Sequence, residues 1–568
     1  MQFKEDQTEQ KLRGGYYTPQ KLASFICKWV NASNKVKTIL EPSCGDGVFL
    51  EGIAKTRGRT PVEVHAFEIE ATEAIKAKKR AEAFKNVRAK ISTNDFLAWA
   101  VATTPGKTHF DAVVGNPPFI RYQYLPTNSQ ELAEKIFLRH NLEFTKHTNA
   151  WVPFVVASLA LLNPGGKFGM VLPTEIFHVM HAQSLRSYFG RVCKRTLIFD
   201  PQDLWFDSTL QGAVIVLAEK KMDISDKGLG ISMVSTSGVQ FTELHPDSFF
   251  EQARFLNGKT VQGKWTRALL EKRELDVFEA ACENRGVHQF DEIANVDVGV
   301  VTGANDFFLV PDDVVRTFRL QKWAHPMFGR SGHCPGIVYD KKQHIANSNL
   351  GHPTNFLWFN VNSYKELPVS ARRYIEQGEK RDLHMRYKCR VREPWFKVPS
   401  VYASALGMLK RAHDVPRLIL NRMSAFTTDT AYRITTTIIK PEKFVYCFIN
   451  SLTALSAELE GRHYGGGVLE LVPSEIEQLR IPLPQKISYS LSELDDQIKK
   501  VRLSHLLQTQ DRKILTPLGF SRADQEILFS GWNRLRMRRQ RISEVPITNQ
   551  SVKQTPEFPA FCKVASVC

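Results

Sequence analysis

The chain has 568 residues, 43% of them hydrophobic, enough for two or three domains with cores of their own. The formal net charge is +17, most of the excess lying after residue 250, which points to a polyanion and first of all to nucleic acid. Nine cysteines without a Cys-x-x-Cys pair argue against zinc and a disulfide scaffold, the polar start Met1 to Gln10 against a signal peptide, and the short apolar stretch Trp151 to Leu162 against a membrane span.

Between residues 36 and 218 strand and helix signals alternate. The predicted strands are Thr38–Glu41, Val64–Ile69, Val87–Ile91, Asp111–Gly115, Lys167–Leu172, Thr196–Phe199 and Ala213–Leu217. Helical patterns fall between most of them, among them Ala71–Phe84, Ser129–Phe144 and Trp151–Leu162. This rhythm predicts an α/β fold, Rossmann-like, with a mostly parallel seven-stranded sheet that binds ligands at the carboxyl ends of its strands. After about Ser235 the rhythm stops. One charged helix is expected over 265–285, then short strands and turns up to a proline-rich break, Ile481-Pro482-Leu483-Pro484. Residues 488–541 read as helical and end in an arginine run, with a loose tail to 568. The expected units are a catalytic domain (1–244), a mixed α/β recognition domain (245–487) and a basic helical segment with its tail (488–568).

The first strand leads into Glu41-Pro42-Ser43-Cys44-Gly45-Asp46-Gly47. Gly45 and Gly47 suit a tight turn that brings a ligand against the backbone, and the next helix offers free N–H groups to a carboxylate. A carboxylate at the strand end, Glu41, suits an ammonium group. Glu68, near the end of the second strand, stands where acidic residues hold ribose hydroxyls. After the third strand, Asp95 can accept from an adenine amino group while Phe96 or Ile69 flanks the ring. Without a G-x-G-x-x-G pattern, the set fits S-adenosylmethionine better than a dinucleotide.

The fourth strand ends in Asn116-Pro117-Pro118-Phe119. Its prolines stiffen the backbone and orient the carbonyls. Asn116 adds a side-chain acceptor and Phe119 a flat face. Together they can hold a planar amino group by two acceptors and stack on its ring, which points to methyl transfer to an exocyclic or amide nitrogen.

With these residues, the chain resembles the gamma-class N6-adenine DNA methyltransferases, the Taq-type modification methylases of restriction–modification systems. The resemblance covers about residues 12–220 and begins at Gly14-Gly15-Tyr16-Tyr17-Thr18-Pro19. In that family such a segment folds back over the methionine part of the cofactor, which implies that Thr18 and Pro19 do so here. It further implies cofactor contacts from Glu41, Pro42, Ser43, Gly45, Gly47, Glu68, Ile69, Asp95, Phe96 and Asn116. Asn116, Pro117, Pro118 and Phe119 would be the catalytic residues, with Phe119 stacking on a flipped adenine. Phe206, in Phe206-Asp207-Ser208-Thr209-Leu210-Gln211-Gly212-Ala213-Val214, would cover the other face, with neighbouring Trp205 as a rival.

The resemblance implies a site-specific adenine DNA methyltransferase. Its partners would be double-stranded DNA and, as a separate protein, a restriction endonuclease; it would act as a cytoplasmic monomer on the nucleoid, with no membrane and no metal. Three later segments, Val298 to Phe308, Thr428 to Ile434 and His463 to Leu469, also resemble larger family members. Their glycines suit loops that approach the DNA backbone, with ordinary turns as the alternative. The basic patches Arg372-Arg373-Tyr374, Arg381 to Arg392 and Trp532 to Arg541 read as phosphate contacts or as solvated helix faces. The tetrapeptide also occurs in RNA guanine-N2 and protein-glutamine methyltransferases, and a modification subunit of a multi-subunit system is a further alternative.

Overall fold

The computed structural model describes residues 17–540 apart from 34, 104–108, 203–204, 206–211, 259–262 and 465. Its first body is built on an eight-stranded sheet, β1 (Thr38–Glu41), β2 (Val62–Phe67), β3 (Val87–Ser92), β4 (Phe110–Gly115), β5 (Leu162–Pro173), β6 (Cys193–Pro201), β7 (Ala213–Lys220) and β8 (Gly230–Thr236). The order is β3-β2-β1-β4-β5-β7-β6-β8. Only β7 runs antiparallel to its neighbours. All seven predicted strands are present. The eighth, β8, adds in parallel beside β6; its register Thr196↔Ile231 to Pro201↔Thr236 extends the sheet beyond the seven strands expected.

Helices cover both faces, as the nearly continuous burial of β4 and β7 requires. On one face α1 (Gln20–Asn31) buries Leu22, Ala23, Phe25, Ile26, Cys27, Trp29 and Val30, an amphipathic stripe at helical spacing. It packs beside α2 (Val48–Arg57). Beyond them on this side lie α3 (Ala71–Glu82) and, on the opposite face, α4 (Phe96–Ala102), α5 (Thr127–Arg139), α6 (Trp151–Ala160) and α7 (Gln183–Val192). Core contacts carry this body past residue 244. Phe250 stacks on Trp29 at 4.2 Å, and Leu256 pairs with Ile231 on the edge strand.

The rest of the chain forms a second body. Its largest sheet has five strands in the order Asn295–Val298, Ala431–Thr435, Leu406–Leu409, Leu418–Asn421, Val338–Tyr339. The expected single helix over 265–285 divides into a 3-10 turn, Trp265–Leu269, and a helix, Lys272–Cys282. The proline-rich break at 481–484 is in part a strand: Arg480–Pro482 pairs antiparallel with Val287–Gln289. Pro482 stands at the strand's last position, where a missing N–H is tolerated. Helices Leu491–Lys500, Leu503–Ile514 and Arg522–Gln540 do not stand apart, for Leu494, Leu507, Leu528 and Trp532 share one core with Phe290, Leu406 and Phe444.

The arginine run of the last helix is turned inward. Arg534 pairs with Glu274, Arg536 with Asp414, Arg538 with Asp200 and Arg539 with Glu458. Asp200 sits near the end of β6, so Arg538 ties the second body to the first; its guanidinium also lies over the Phe177 ring, 5.2 Å from the centroid. Arg539 and Glu458 are both wholly buried, joined by Nη2–Oε1 at 2.7 Å and Nε–Oε2 at 2.9 Å, and Arg539 also donates to His413 O at 2.8 Å. Neither a phosphate contact nor a solvated face describes these four residues; Arg541 lies outside the described residues. Removing one member of a buried, hydrogen-bonded pair strands the other's charge, so Arg539→Ala is expected to destabilise the protein by about 3–5 kcal/mol. A urea midpoint equal to that of the unaltered chain would contradict this.

Candidate active site

The site follows from strand order. β1 lies between β2 and β4, parallel to both, with Glu41 opposite Ala66 and Leu40 opposite Val113. The three strands therefore deliver their following loops to one edge of the sheet. Cross-loop bonds lock them: Cys44 N–H donates to Phe67 O at 2.8 Å, Glu68 N–H to Ser92 O at 2.9 Å and Ser43 Oγ to Asn116 O at 2.9 Å.

The turn after β1 needs glycine twice. Gly45 and Gly47 have φ of +51° and +87°. A Cβ on Gly47 would stand 2.9 Å from Ala77 Cα of α3, whereas Gly45 faces open space, as a surface for a ligand requires. Pro42 is buried beneath the loop.

Glu41 is fully buried, and neither carboxylate oxygen has a hydrogen-bond partner. Burial pushes its pKa well above the carboxylate range, with Asp46 and Glu68 adding to the shift. A buried acceptor pair without a donor is costly unless a ligand supplies one, and an ammonium group does so. Glu68 accepts from Gly45 N–H and Glu70 N–H, both at 2.9 Å, so it braces the glycine turn. Burial raises its pKa despite those bonds. Each of its oxygens retains acceptor capacity.

Asp95 caps α4, accepting from Leu97 N–H at 2.7 Å and Ala98 N–H at 3.1 Å through Oδ1. Phe96 does not present a face to the cleft. It is buried against Phe67, Phe154 and Trp99, with ring centroids 5.3–6.1 Å apart. Ile69 is 66% exposed, which leaves it, of the two residues expected to flank a ring, as the one that can.

Thr18 and Pro19 do reach the site. Asn116 Nδ2 donates to Thr18 Oγ1 at 3.2 Å, which places the amide's Oδ1 at its other end. Pro19 O accepts from Leu22 N–H and Ala23 N–H and so starts α1. Tyr17, of the same segment, ties this strap to a residue not singled out in the sequence: its OH donates to Glu73 on α3 at 2.9 Å. Beyond the tetrapeptide, Asn149 accepts from Tyr122 N–H at 3.2 Å and donates to Glu175 at 3.0 Å, and Ala150 N–H donates to Ile120 O at 2.9 Å. No local motif marks Asn149 or Glu175. Phe119 is half-buried between the cores on the two faces of the sheet, and Pro117 is buried. Trp205 packs on Phe241, with ring centroids 5.8 Å apart at 27°. Phe206 lies outside the described residues.

The Glu41 carboxylate carries a pH signature. Its pKa in the fold lies above the ordinary 4.5, so the stability tied to its protonated form is fully present below about 4.5 and is lost as pH rises through the raised value. Glu41→Gln is therefore expected to raise the melting temperature of the ligand-free protein at pH 7–8 and to leave it nearly unaltered near pH 4. A Gln variant no more stable at pH 8 than the unaltered chain would contradict the assignment.

The chain matches known proteins over both of its bodies. Residues 3–298 match the family profile described as N-6 DNA Methylase, and residues 262–515 match that described as the C-terminal domain of type II methyltransferase M.Eco57I. The chain is 21% identical over 481 residues to type II methyltransferase M.AccI of Acinetobacter calcoaceticus, covering 82% of this chain and 84% of that protein. It is 25% identical over 188 residues to M.HincII of Haemophilus influenzae, 32% of each chain. A solved type IIG restriction endonuclease, BpuSI, superposes with a TM-score of 0.42 at 14% identity, over 92% of this chain and 66% of that one. With more than half of its residues under the first profile, the chain belongs to the N-6 DNA methylase family, DNA methyltransferases that use S-adenosylmethionine.

Proposed function

We propose that this chain methylates N6 of adenine within a defined sequence of double-stranded DNA, as a gamma-class modification enzyme whose restriction endonuclease is a separate protein. The observation that carries the reading is the convergence of Thr18, Ser43 and Asn116 beside the buried, unpartnered Glu41.

S-adenosylmethionine, when bound, supplies a methyl group made electrophilic by its sulfonium. Glu41 would hold the ammonium group, Glu68 the ribose hydroxyls and Asp95 the adenine amino group, with Ile69 against the ring. Gly45 and Gly47 keep the backbone close, and Thr18 with Pro19 closes the site from the N-terminal side. With Nδ2 held by Thr18, Asn116 would offer Oδ1 to the target amino group.

A stacked adenine cannot present its amino group to this edge of the sheet. Flipping it out costs roughly a few kcal/mol. Stacking on Phe119 offsets about 1–3 kcal/mol of that, and Phe206 would add a comparable face. The amino nitrogen is a weak nucleophile because its lone pair is delocalised into the ring. Asn116 Oδ1 and Pro117 O accept its two hydrogens, draw them out of the ring plane and localise the lone pair. Pro118 keeps these acceptors fixed, so positioning and electrostatics supply the catalysis.

Asn116→Ala should abolish methylation while S-adenosylmethionine still raises the melting temperature; retained turnover would refute the role. Expression in a host without adenine methylation, read by long-read sequencing, should yield one modified-adenine motif. Modified cytosine, or no modified base, would overturn the adenine assignment.

A further inference from the structure

We infer that the segment Met385–Val391 is the DNA-contacting element of the second body, with Tyr387 meeting bases and Lys388 and Arg390 meeting flanking phosphates. The inference rests on the DNA methyltransferase reading above.

The two basic runs of the second body have opposite fates. The arginines of 534–539 are paired inside the protein. Lys388 and Arg390 have no acidic partner within ion-pair distance among the described residues; both flank the Tyr387 ring, 5.7 and 5.6 Å from its centroid. Of the seven residues only Cys389 turns inward. Met385, Tyr387 and Val391 are 61%, 65% and 65% exposed. One exposed aromatic is ordinary, but three large apolar side chains interleaved with cations make a surface with no occupant in the chain itself. A base face with its phosphates matches that mixture: aromatic stacking, and cations for the backbone.

The segment is held rigidly enough to read DNA. Arg392 donates to Thr302 O at 2.7 Å and Val301 O at 2.6 Å, and Cys389 Sγ approaches Thr302 O. Gly303, at φ +79°, is needed there, since a Cβ would stand 2.7 Å from Lys388 Cβ. Arg386 and Arg381 both pair with Asp306. The glycine-rich stretch 298–306 is thus the seat of the exposed element. Beside it opens a concavity of about 700 Å³ lined by Arg390, Trp395, His384, Glu376, Glu379 and Glu393, in which Trp395 Nε1 donates to Glu379 at 3.1 Å.

The test uses the full chain. Affinity for mixed-sequence duplex DNA is measured against salt for the double variants Lys388→Ala/Arg390→Ala and Lys78→Ala/Lys79→Ala, which lose equal charge. The first should flatten the log–log salt slope by about two, at roughly 0.9 per phosphate contact, and the second should leave it as in the unaltered chain. Equal slopes for both overturn the phosphate role. Tyr387→Ala should make one or more positions of the methylated motif degenerate; an unaltered motif and unaltered affinity overturn the base role. If the unaltered chain methylates no adenine, the function proposed above fails, while the salt-slope comparison, which needs no chemistry, still decides this inference.

Discussion

The placement of β1 between two parallel neighbours is the constraint on which the site depends. Because β2 and β4 both run alongside it, the residues that follow each strand arrive at one edge, 27 to 75 positions from Glu41 in sequence yet joined by direct hydrogen bonds. The same arrangement buries Glu41 without a partner. A carboxylate in that state either takes up a proton or waits for a cation, so the fold tolerates local instability at this strand end. Around it Ser43, Glu68 and Thr18 each bond to a neighbouring segment of chain.

The second body is held against this sheet by polar groups removed from water. Arg538 reaches Asp200 at the end of β6, and the His463 N–H donates to His178 Nε2 at 3.2 Å. Burial drives the pKa of both imidazoles well below the usual value, which suits the neutral acceptor this contact requires. Trp265 packs on Phe189 in the core of the first body, and its neighbours Lys264, paired with Glu475, and Thr266, donating to Leu459 O, extend the same seam. Pairs of this kind add geometric specificity more than stability, because desolvation cancels much of their attraction.

Much of the catalytic half was legible in the chain. Strands buried on both faces read as apolar runs, and Glu41, Glu68, Asp95 and Asn116 each stand at or just past the end of one, so their convergence could be inferred from the α/β rhythm. What misled was local chemistry that serves packing. Phe96 resembled a ring-stacking residue but fills the core beside Phe67. The glycines at 298–306 suited DNA-facing loops or ordinary turns; Gly299 lies against Thr428 O and Ala431 O, and Asn305 bonds to Asp429, so two of the three recognised segments are seats for one another. The run Trp532 to Arg541 resembled a phosphate-binding face because composition does not distinguish a paired arginine from a solvated one.

By itself, then, the sequence determined the fold class and the family, because hydrophobic period and strand-end residues are local properties. Tertiary structure alone decided which charges are available. Whether an arginine meets a carboxylate or solvent depends on residues hundreds of positions away, as Arg538 and Asp200 show, and on the low dielectric that makes an unpaired partner costly. For the same reason only the folded chain separates the inward-facing run at 534–539 from the exposed one at 386–390.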